Sequence, residues 1–274
     1  MRTGDTVLSL ACGGGEELAL WAEAFGATSV MALEQSPSLA AQARQRAEAI
    51  HTGCIIDVHC ADARRLPQLV GGRFERIVCV DAIYHLGPRW PLLRAARSLL
   101  AGGGGFAYTD LVLARGGAPW RRGALRLGAG LGGIGFADVA DSATALERWR
   151  QAGFDEVRCV RLDEAVLDGF CAHAARQARR IGLAARASAA WQRVAATAWL
   201  IRTGRGAGLG YALYSGRAGA APPLLDQAVV ASAAIQPSGA PSTAAPSTVA
   251  PSMARTTTSA ERTALSSSGI PGWA

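Results

Sequence analysis

Short apolar runs alternate with longer amphipathic stretches from residue 1 to about residue 217. Each run has the length of a buried strand, and the stretches between the runs repeat apolar residues at helical spacing. This alternation is typical of a parallel sheet that is covered by helices. The predicted strands are residues 6–11, 29–33, 55–59, 76–80, 105–109, 157–162 and 209–215.

Six helices are predicted in the segments between these runs. They cover residues 16–25, 38–49, 91–100, 143–152, 162–180 and 188–201. Gly153 follows the fourth of them, in the position where a glycine commonly ends a helix before the next strand. The pattern therefore predicts an α/β fold with a doubly wound, mostly parallel seven-stranded sheet.

Residues 218–274 differ in composition from the rest of the chain. The segments APST, APST and APSM begin at residues 240, 245 and 250 and place a proline at every fifth position. Proline at this spacing blocks both a helix and a central strand. We therefore predict one folded domain over residues 1–217 and a disordered tail over residues 218–274.

The composition excludes several classes of function. The chain has 28 arginines and no lysine. It therefore lacks a P-loop lysine, a Schiff-base lysine and the YxxxK pair of short-chain reductases. The net charge is +7, but the arginines are scattered, and we expect no nucleic-acid partner. No apolar run reaches the roughly 18 residues of a membrane span, and Asp5, Glu16 and Glu17 lie within the first twenty positions, where a secretory signal would be apolar. An intracellular, cytoplasmic location is predicted.

The six cysteines form no CxxC pair, and most lie in apolar runs. Buried reduced thiols are the expected state. Cys54, His59 and Cys60 are close in sequence, but their spacing is not that of a zinc finger and no second ligand pair follows. No metal site is predicted.

A glycine-rich turn follows the first predicted strand directly. Gly13 and Gly15 form a GxG segment before the first helix, where backbone N–H groups can face a ligand. A dinucleotide fingerprint requires a third glycine at the position of Leu18, and Glu16 and Glu17 are unfavourable neighbours for a diphosphate. A purely structural glycine turn is the alternative.

Acidic residues end the next three predicted strands. Glu34 lies about twenty residues after the glycines, where a carboxylate accepts hydrogen bonds from a ribose diol. Asp62 either accepts from an exocyclic amine or caps the following turn. Asp81, Tyr84 and His85 end the fourth strand at the sheet edge where ligands bind in this architecture.

The order of these motifs resembles the class I methyltransferases that use S-adenosylmethionine, especially the group acting on small molecules and lipids. GDTVLSLACGGG is similar to the first motif of that family, and VDAIYH is similar to the fourth. The segments LLRAARSLLAGGGGFAYTDL, TALERWRQAGFDEVRCVRL and GLGYALYSGR resemble the elements that lead into its last three strands. The resemblance covers about residues 4–217 and implies a Rossmann-like methyltransferase fold.

The resemblance also implies site residues. The implied contacts to S-adenosylmethionine are Ala11, Cys12, Gly13, Gly15, Glu34, Gln35, Ala61, Asp62, Ala63 and Asp81. His85 has a pKa range that suits a general base if the acceptor is a hydroxyl or an amine, and packing is its alternative role. Tyr84 is expected in the wall of the acceptor pocket.

The chain departs from the family pattern in four ways. The family usually has an acid at the position of Ser9, a glycine at that of Ala11 and a proline at that of Gly102. Its members also usually carry helices upstream of the first strand, and here Met1 lies a few residues before it. We expect the missing acid to weaken cofactor affinity, and we expect upstream sequence to raise activity.

The segment after the fifth strand and a late helix bear on the acceptor. Residues 111–141 combine apolar side chains with many glycines, which predicts either an apolar lid or a core helix with solvated arginines. Arg176, Arg179 and Arg180 end a helix and are either solvated or in contact with a membrane surface. The leading hypothesis is therefore a methyltransferase with a small-molecule or lipid-like acceptor. The alternatives are a catalytically silent domain that binds a cofactor or partner, and a nicotinamide-dependent oxidoreductase.

Overall fold

The computed structural model describes residues 1–114 and 138–219, together with residues 123, 125, 135 and 136. Most of the predicted lid over residues 111–141 and nearly all of the predicted tail lie outside the described residues. None of the helices in the described part of the chain combines the length and the apolarity needed to cross a membrane.

Seven strands form one sheet, and each of them lies where the hydrophobic pattern predicts it. The order across the sheet is β3-β2-β1-β4-β5-β7-β6, with β7 antiparallel to both of its neighbours and the other pairs parallel. The strands are β1 Thr6–Leu10, β2 Ser29–Glu34, β3 Ile55–Cys60, β4 Phe74–Cys79, β5 Leu100–Leu113, β6 Phe154–Arg161 and β7 Leu209–Ala218. The prediction of a doubly wound, mostly parallel α/β sheet is confirmed.

The described α-helices connect successive strands or lead into them. They are α1 Pro37–Glu48, α2 Leu66–Leu69, α3 Arg89–Leu99, α4 Ser142–Gln151, α5 Gly169–Arg180, α6 Leu183–Arg186 and α7 Ala189–Gly206. Ser36 caps α1, Asp141 caps α4 and Ser188 caps α7, each by accepting a hydrogen bond from a backbone N–H of the first turn. Gly153 has a φ of 86°, as expected of a glycine that ends α4.

Two predicted helices differ in form from the prediction. The segments Leu20–Ala24 and Asp163–Asp168 are π-helical, whereas the hydrophobic pattern predicts regular helices over residues 16–25 and 162–180. An acidic side chain near the start of each predicted helix bonds to a strand. Glu17 accepts from the hydroxyl of Ser9 in β1, and Asp163 accepts from the backbone N–H of Tyr211 in β7.

The core lies on both faces of the sheet and contains a group of packed aromatic rings. Trp149 of α4 is fully buried, and its ring stacks on that of Tyr108 at a centroid distance of 5.1 Å. The Trp149 indole N–H also donates to the Tyr108 hydroxyl at 3.0 Å. Gly216 makes room for this packing, because a Cβ there would lie 2.9 Å from the indole ring. The last three strands are therefore held to α4 by aromatic packing.

The direction of the chain reverses at the centre of the sheet. Strands β1 and β4 are neighbours, and from this pair the chain proceeds outward in both directions. Ligands bind outside the carboxyl ends of the strands at such a switch point. Backbone strain marks this edge, because Ala11 after β1 and Asp81 after β4 both have a φ of 54° although neither is glycine.

Candidate active site

The turn after β1 combines one closely packed glycine with one open glycine. Gly15 has a φ of 83°, and a Cβ there would lie 2.9 Å from the Cα of Ala43 in α1. Gly13 has a φ of 57°, and the nearest atom to a Cβ would be 4.0 Å away. Only glycine fits against α1 at position 15, whereas Gly13 leaves open space at the edge of the sheet.

Glu34 at the end of β2 is held by backbone donors. Its side chain is buried, its Oε2 accepts from the N–H of Gly13 at 3.0 Å, and its Oε1 accepts from the N–H of Ser36 at 2.8 Å. A carboxylate oxygen can accept a second hydrogen bond, so both oxygens retain capacity for a diol. The two N–H donors fix the carboxylate beside the open glycine, which fits the predicted ribose contact.

A second carboxyl group lies beneath the turn. The Glu17 carboxyl accepts a hydrogen bond from the hydroxyl of Ser9, which is fully buried in β1. Burial raises the pKa of Glu17 to about 7, although the hydroxyl of Ser9 and the indole of Trp21 favour the charged form. The family usually has an acid at the position of Ser9, so the resemblance predicts that a carboxyl group is missing there. The structure shows that Glu17 brings a carboxyl group to Ser9 from the following segment.

The end of β3 lies directly beside Glu34. The N–H of Ala61 donates to the backbone carbonyl of Glu34 at 2.9 Å. Asp62 caps a 3₁₀ turn at Ala63–Arg65 and pairs with Arg64 at 2.6 Å. Hydrogen bonding to Arg64 lowers the pKa of Asp62. The capping alternative is therefore present in the structure, and a contact from Asp62 to an exocyclic amine stays a prediction.

Asp81 anchors a hydrogen-bonded cluster at the end of β4. Its Oδ1 accepts from the hydroxyls of Tyr84 and Tyr211, each at 2.6 Å. Its backbone N–H donates to the Thr109 hydroxyl at 2.7 Å, and that hydroxyl lies 2.7 Å from the Tyr211 hydroxyl. Strands β4, β5 and β7 thus contribute to one polar cluster, which also holds Asp81 in its left-handed conformation.

His85 and Tyr84 lie next to this cluster on a short 3₁₀ turn, Ile83–His85. Their rings contact each other at a centroid distance of 4.6 Å, and His85 is exposed. Burial and the nearby Asp81 carboxylate raise the pKa of Tyr84 above its usual range. The phenol therefore remains a hydrogen-bond donor at neutral pH.

The structure brings most of the predicted site residues to one edge of the sheet. The turn at residues 11–15, Glu34, Ala61, Asp81 and the pair of Tyr84 and His85 all follow the carboxyl ends of strands. Sequence reasoning did not identify Glu17, Thr109 and Tyr211 as site residues. The only signal for Glu17 was an acid in a first turn, and Tyr211 lies 130 residues from Asp81 in the chain.

Comparisons with known proteins agree with this architecture. Residues 7–104 match the family model described as a methyltransferase domain. No curated protein matches the chain in sequence comparison.

Among solved structures, the phosphoethanolamine N-methyltransferase 2 of Haemonchus contortus, in complex with phosphomonomethylethanolamine and S-adenosylhomocysteine, is similar with a TM-score of 0.63 and 14% identity. That likeness covers 80% of this chain, which spans 50% of the Haemonchus chain. The mycolic acid cyclopropane synthase CmaA1 has a TM-score of 0.64 and 16% identity, with 79% of each chain covered.

A methyltransferase from Thiobacillus denitrificans, described as S-adenosylmethionine-dependent and solved with S-adenosylhomocysteine, has a TM-score of 0.59 and 20% identity. The likeness covers 80% of this chain and 86% of that one. At these identities the likenesses show the fold alone, and the family model matches 98 of the 274 residues. The chain therefore has the fold of the class I S-adenosylmethionine-dependent methyltransferases, and its residues 7–104 match the model of a methyltransferase domain.

Proposed function

We propose that the chain transfers a methyl group from S-adenosylmethionine to a small-molecule or lipid-like acceptor. The observation that carries the proposal is the position of Glu34. Its buried carboxylate is fixed by two backbone donors beside the open Gly13, at the edge where the chain reverses direction. The descriptions of two similar solved structures support the acceptor class, because one names a phosphomonomethylethanolamine complex and the other a mycolic acid cyclopropane synthase.

The residues of the turn would hold the cofactor by complementary hydrogen bonds. Glu34 accepts from the ribose diol, and Gly13 leaves space for a close approach to the backbone. Ala11 and Asp81 follow the ends of β1 and β4, the neighbouring strands at which the chain reverses direction. When bound, S-adenosylmethionine supplies an electrophilic methyl group, so no nucleophile from the protein is required.

The cluster around Asp81 would position the acceptor. Tyr84 and Tyr211 donate to Asp81 Oδ1 and hold the carboxylate in place at the end of β4. His85 is exposed beside this cluster and takes up the proton that a hydroxyl or amine acceptor loses. Alignment of the acceptor with the methyl group is the main contribution of the protein.

Titration calorimetry of the full chain with S-adenosylhomocysteine tests the cofactor site. Glu34→Ala should weaken binding about tenfold or more, because hydrogen bonds to a charged acceptor contribute roughly 1.5 to 3 kcal/mol. Glu48→Ala removes an exposed carboxylate from the end of α1 and should leave the affinity unchanged. Equal affinity of the wild type and Glu34→Ala would contradict the ribose assignment. Heat of binding with NAD instead would support the oxidoreductase alternative.

Methyl transfer from labelled cofactor to a cell extract tests the activity and reveals the acceptor. With that acceptor, His85→Ala should lower kcat by about 10² to 10⁴ and leave cofactor affinity unchanged, since proton removal acts in the transition state. A change in the KM of the acceptor alone would make His85 a pocket residue. Cofactor binding without any transfer would favour the silent binding domain.

A further inference from the structure

The helical segment between β6 and β7 carries charge of a single sign. From Gly169 to Gly208 the chain has seven arginines and no acidic residue. Arg205 pairs with Asp163 and Asp168, which precede the segment. The other six are exposed, and no ion pair with an acidic side chain is found for them within the described residues: Arg176, Arg179, Arg180, Arg186, Arg193 and Arg202.

Five of these arginines lie where α5 gives way to α7. Helices α5 and α7 pack against each other, and the Cys171 thiol in the first turn of α5 donates to the carbonyl of Ala198 near the middle of α7. The connection between them therefore forms one end of a helical hairpin. We call this end the basic tip, and it consists of Arg176, Arg179, Arg180, Leu183, Arg186 and Arg193.

The basic tip also exposes an apolar side chain between its charges. Leu183 in α6 is 84% exposed, the largest exposure among the large hydrophobic side chains of the described residues. Arg180 and Arg186 flank it in the sequence. An exposed leucine within a group of arginines is the arrangement found on surfaces that contact the headgroup region of a lipid bilayer.

Helix dipoles stabilise only some of the arginines in the basic tip. Arg179 and Arg180 lie in the last turn of α5, where positive charge is favourable. Arg193 lies in the second turn of α7, away from the last turn of α5, and the first turn of α7 has no acidic residue. The five arginines of the tip repel one another. An anionic partner would offset this repulsion.

We propose that the basic tip docks on the surface of an anionic lipid bilayer. The arginines supply attraction to negative headgroups, and Leu183 enters the boundary between headgroups and acyl chains. The phosphates of a nucleic acid would complement the positive charge, but they would provide no apolar contact for Leu183. The bilayer therefore accounts for both features of the tip.

The hairpin also stands at the edge of the sheet that holds the candidate site. Strand β6 runs parallel to β5, so the hairpin begins at the same edge as Asp81 and the glycine turn. Leu167 and Ile201 of the segment belong to a hydrophobic cluster with Leu111, Tyr211 and the half-buried Tyr84. Docking through the hairpin would bring this edge towards the membrane, which would suit an acceptor that resides in lipid.

Sedimentation of the full chain with vesicles tests the docking without any assay of methyl transfer. Binding to vesicles of phosphatidylcholine with phosphatidylserine should exceed binding to phosphatidylcholine alone, and added salt should weaken it. The triple variant Arg176→Gln, Arg179→Gln and Arg180→Gln should bind roughly 100-fold more weakly. Its melting temperature and far-ultraviolet spectrum should match those of the wild type.

Matched variants separate the basic tip from overall charge and apolarity. Changing Arg2, Arg94 and Arg158 to glutamine removes the same charge from exposed positions outside the tip and should have a much smaller effect. Leu183→Ala should weaken vesicle binding several-fold even at high salt, whereas Ile55→Ala, a change of another exposed side chain, should not.

Three results would overturn the proposal. Equal binding to anionic and neutral vesicles would do so, and so would equal weakening by the two triple variants. Binding of a DNA or RNA duplex through these arginines, with no vesicle binding, would assign the tip to nucleic acid instead. Failure of the proposed methyl transfer would leave the vesicle result unaffected, since sedimentation needs neither cofactor nor acceptor.

Discussion

The two halves of the site edge are held in different ways. On the β1 and β2 side, two backbone N–H groups fix Glu34. They belong to Gly13, which follows β1, and to Ser36, which follows β2. On the β4, β5 and β7 side, Asp81 is held by the side chains of Tyr84 and Tyr211. The first half depends on chain conformation, and the second depends on side chains that tertiary folding brings together.

This difference corresponds to two proposed tasks, which are the binding of a common cofactor and the binding of a particular acceptor. Backbone geometry tolerates many side chains, so the half that would hold a common cofactor can keep the same form when neighbouring residues change. The half that would hold the acceptor is built from side chains, and each of them can be exchanged without altering the sheet. We therefore expect substitutions on the β4 side to alter acceptor use and substitutions in the glycine turn to alter cofactor affinity.

Removal of a buried charge on the β5 side should have the largest effect. Arg89 and Asp110 form a bidentate pair at 3.0 Å, and both side chains are buried. Asp110→Asn leaves the Arg89 charge uncompensated and should lower the free energy of unfolding by about 3 to 5 kcal/mol, measured by urea denaturation. Asp168→Asn breaks an exposed pair with Arg205 and should cost about 1 kcal/mol or less. Similar losses in both variants would show that burial of the Arg89–Asp110 pair does not increase the cost of removing one partner.

A comparison of two glycines tests the β1 half. Gly15→Ala places a Cβ 2.9 Å from the backbone of α1 at a positive φ, and it should lower the free energy of unfolding by about 2 to 4 kcal/mol. Gly13→Ala carries the conformational cost of roughly 1 to 2 kcal/mol alone, because its Cβ meets open space. Thermal unfolding of the two variants measures the difference. A loss at Gly13 equal to that at Gly15 would contradict the close packing against α1.

The sequence pattern predicts the backbone-held half well. The alternation of apolar runs locates all seven strands, and the spacing from Gly13 to Glu34 is that of one helical segment and the strand that follows it. Glycine and capping residues act over a few positions, so their effects can be read locally.

The side-chain-held half is less predictable for a physical reason. Asp81, Thr109 and Tyr211 come from three strands, and their hydrogen bonds depend on the register between β5 and β7. Register across a sheet depends on packing that the local sequence does not encode. The same applies to Glu17, because its hydrogen bond to Ser9 depends on how the segment after the turn packs against β1.

Removal of one hydroxyl tests the side-chain-held half. Tyr211→Phe loses a hydrogen bond to the Asp81 carboxylate and a contact with Thr109, and it should cost about 1.5 to 3 kcal/mol in the free energy of unfolding. Tyr84→Phe loses a bond to the same carboxylate from a less buried position and should cost less. Chemical denaturation of both variants gives the comparison. A smaller loss for Tyr211→Phe than for Tyr84→Phe would show that β7 does not hold Asp81.

The smallest expected effect concerns Glu17, which joins a side-chain bond to the backbone-held half. Burial raises its pKa from 4.5 to about 7 in the folded protein. Between these values the folded protein keeps a proton that the unfolded chain has lost, so the contribution of Glu17 to stability falls as the pH rises towards 7. Glu17→Gln removes this titration. The stability of the variant relative to wild type should therefore increase from pH 5 to pH 8, by about 1 to 2 kcal/mol given the partial exposure of the residue.

Glu16→Gln is the matched control, because Glu16 is the exposed neighbour of Glu17 and pairs with Arg46 on the surface. Its stability relative to wild type should change little over the same pH range, since an exposed pair contributes little. Urea denaturation of the three proteins at pH 5, 6, 7 and 8 measures both differences. A pH profile of Glu17→Gln parallel to that of the wild type would mean that this carboxyl is ionised throughout the range. Ser9 would then bond to a permanent charge beneath the turn, and cofactor affinity should not depend on pH through Glu17.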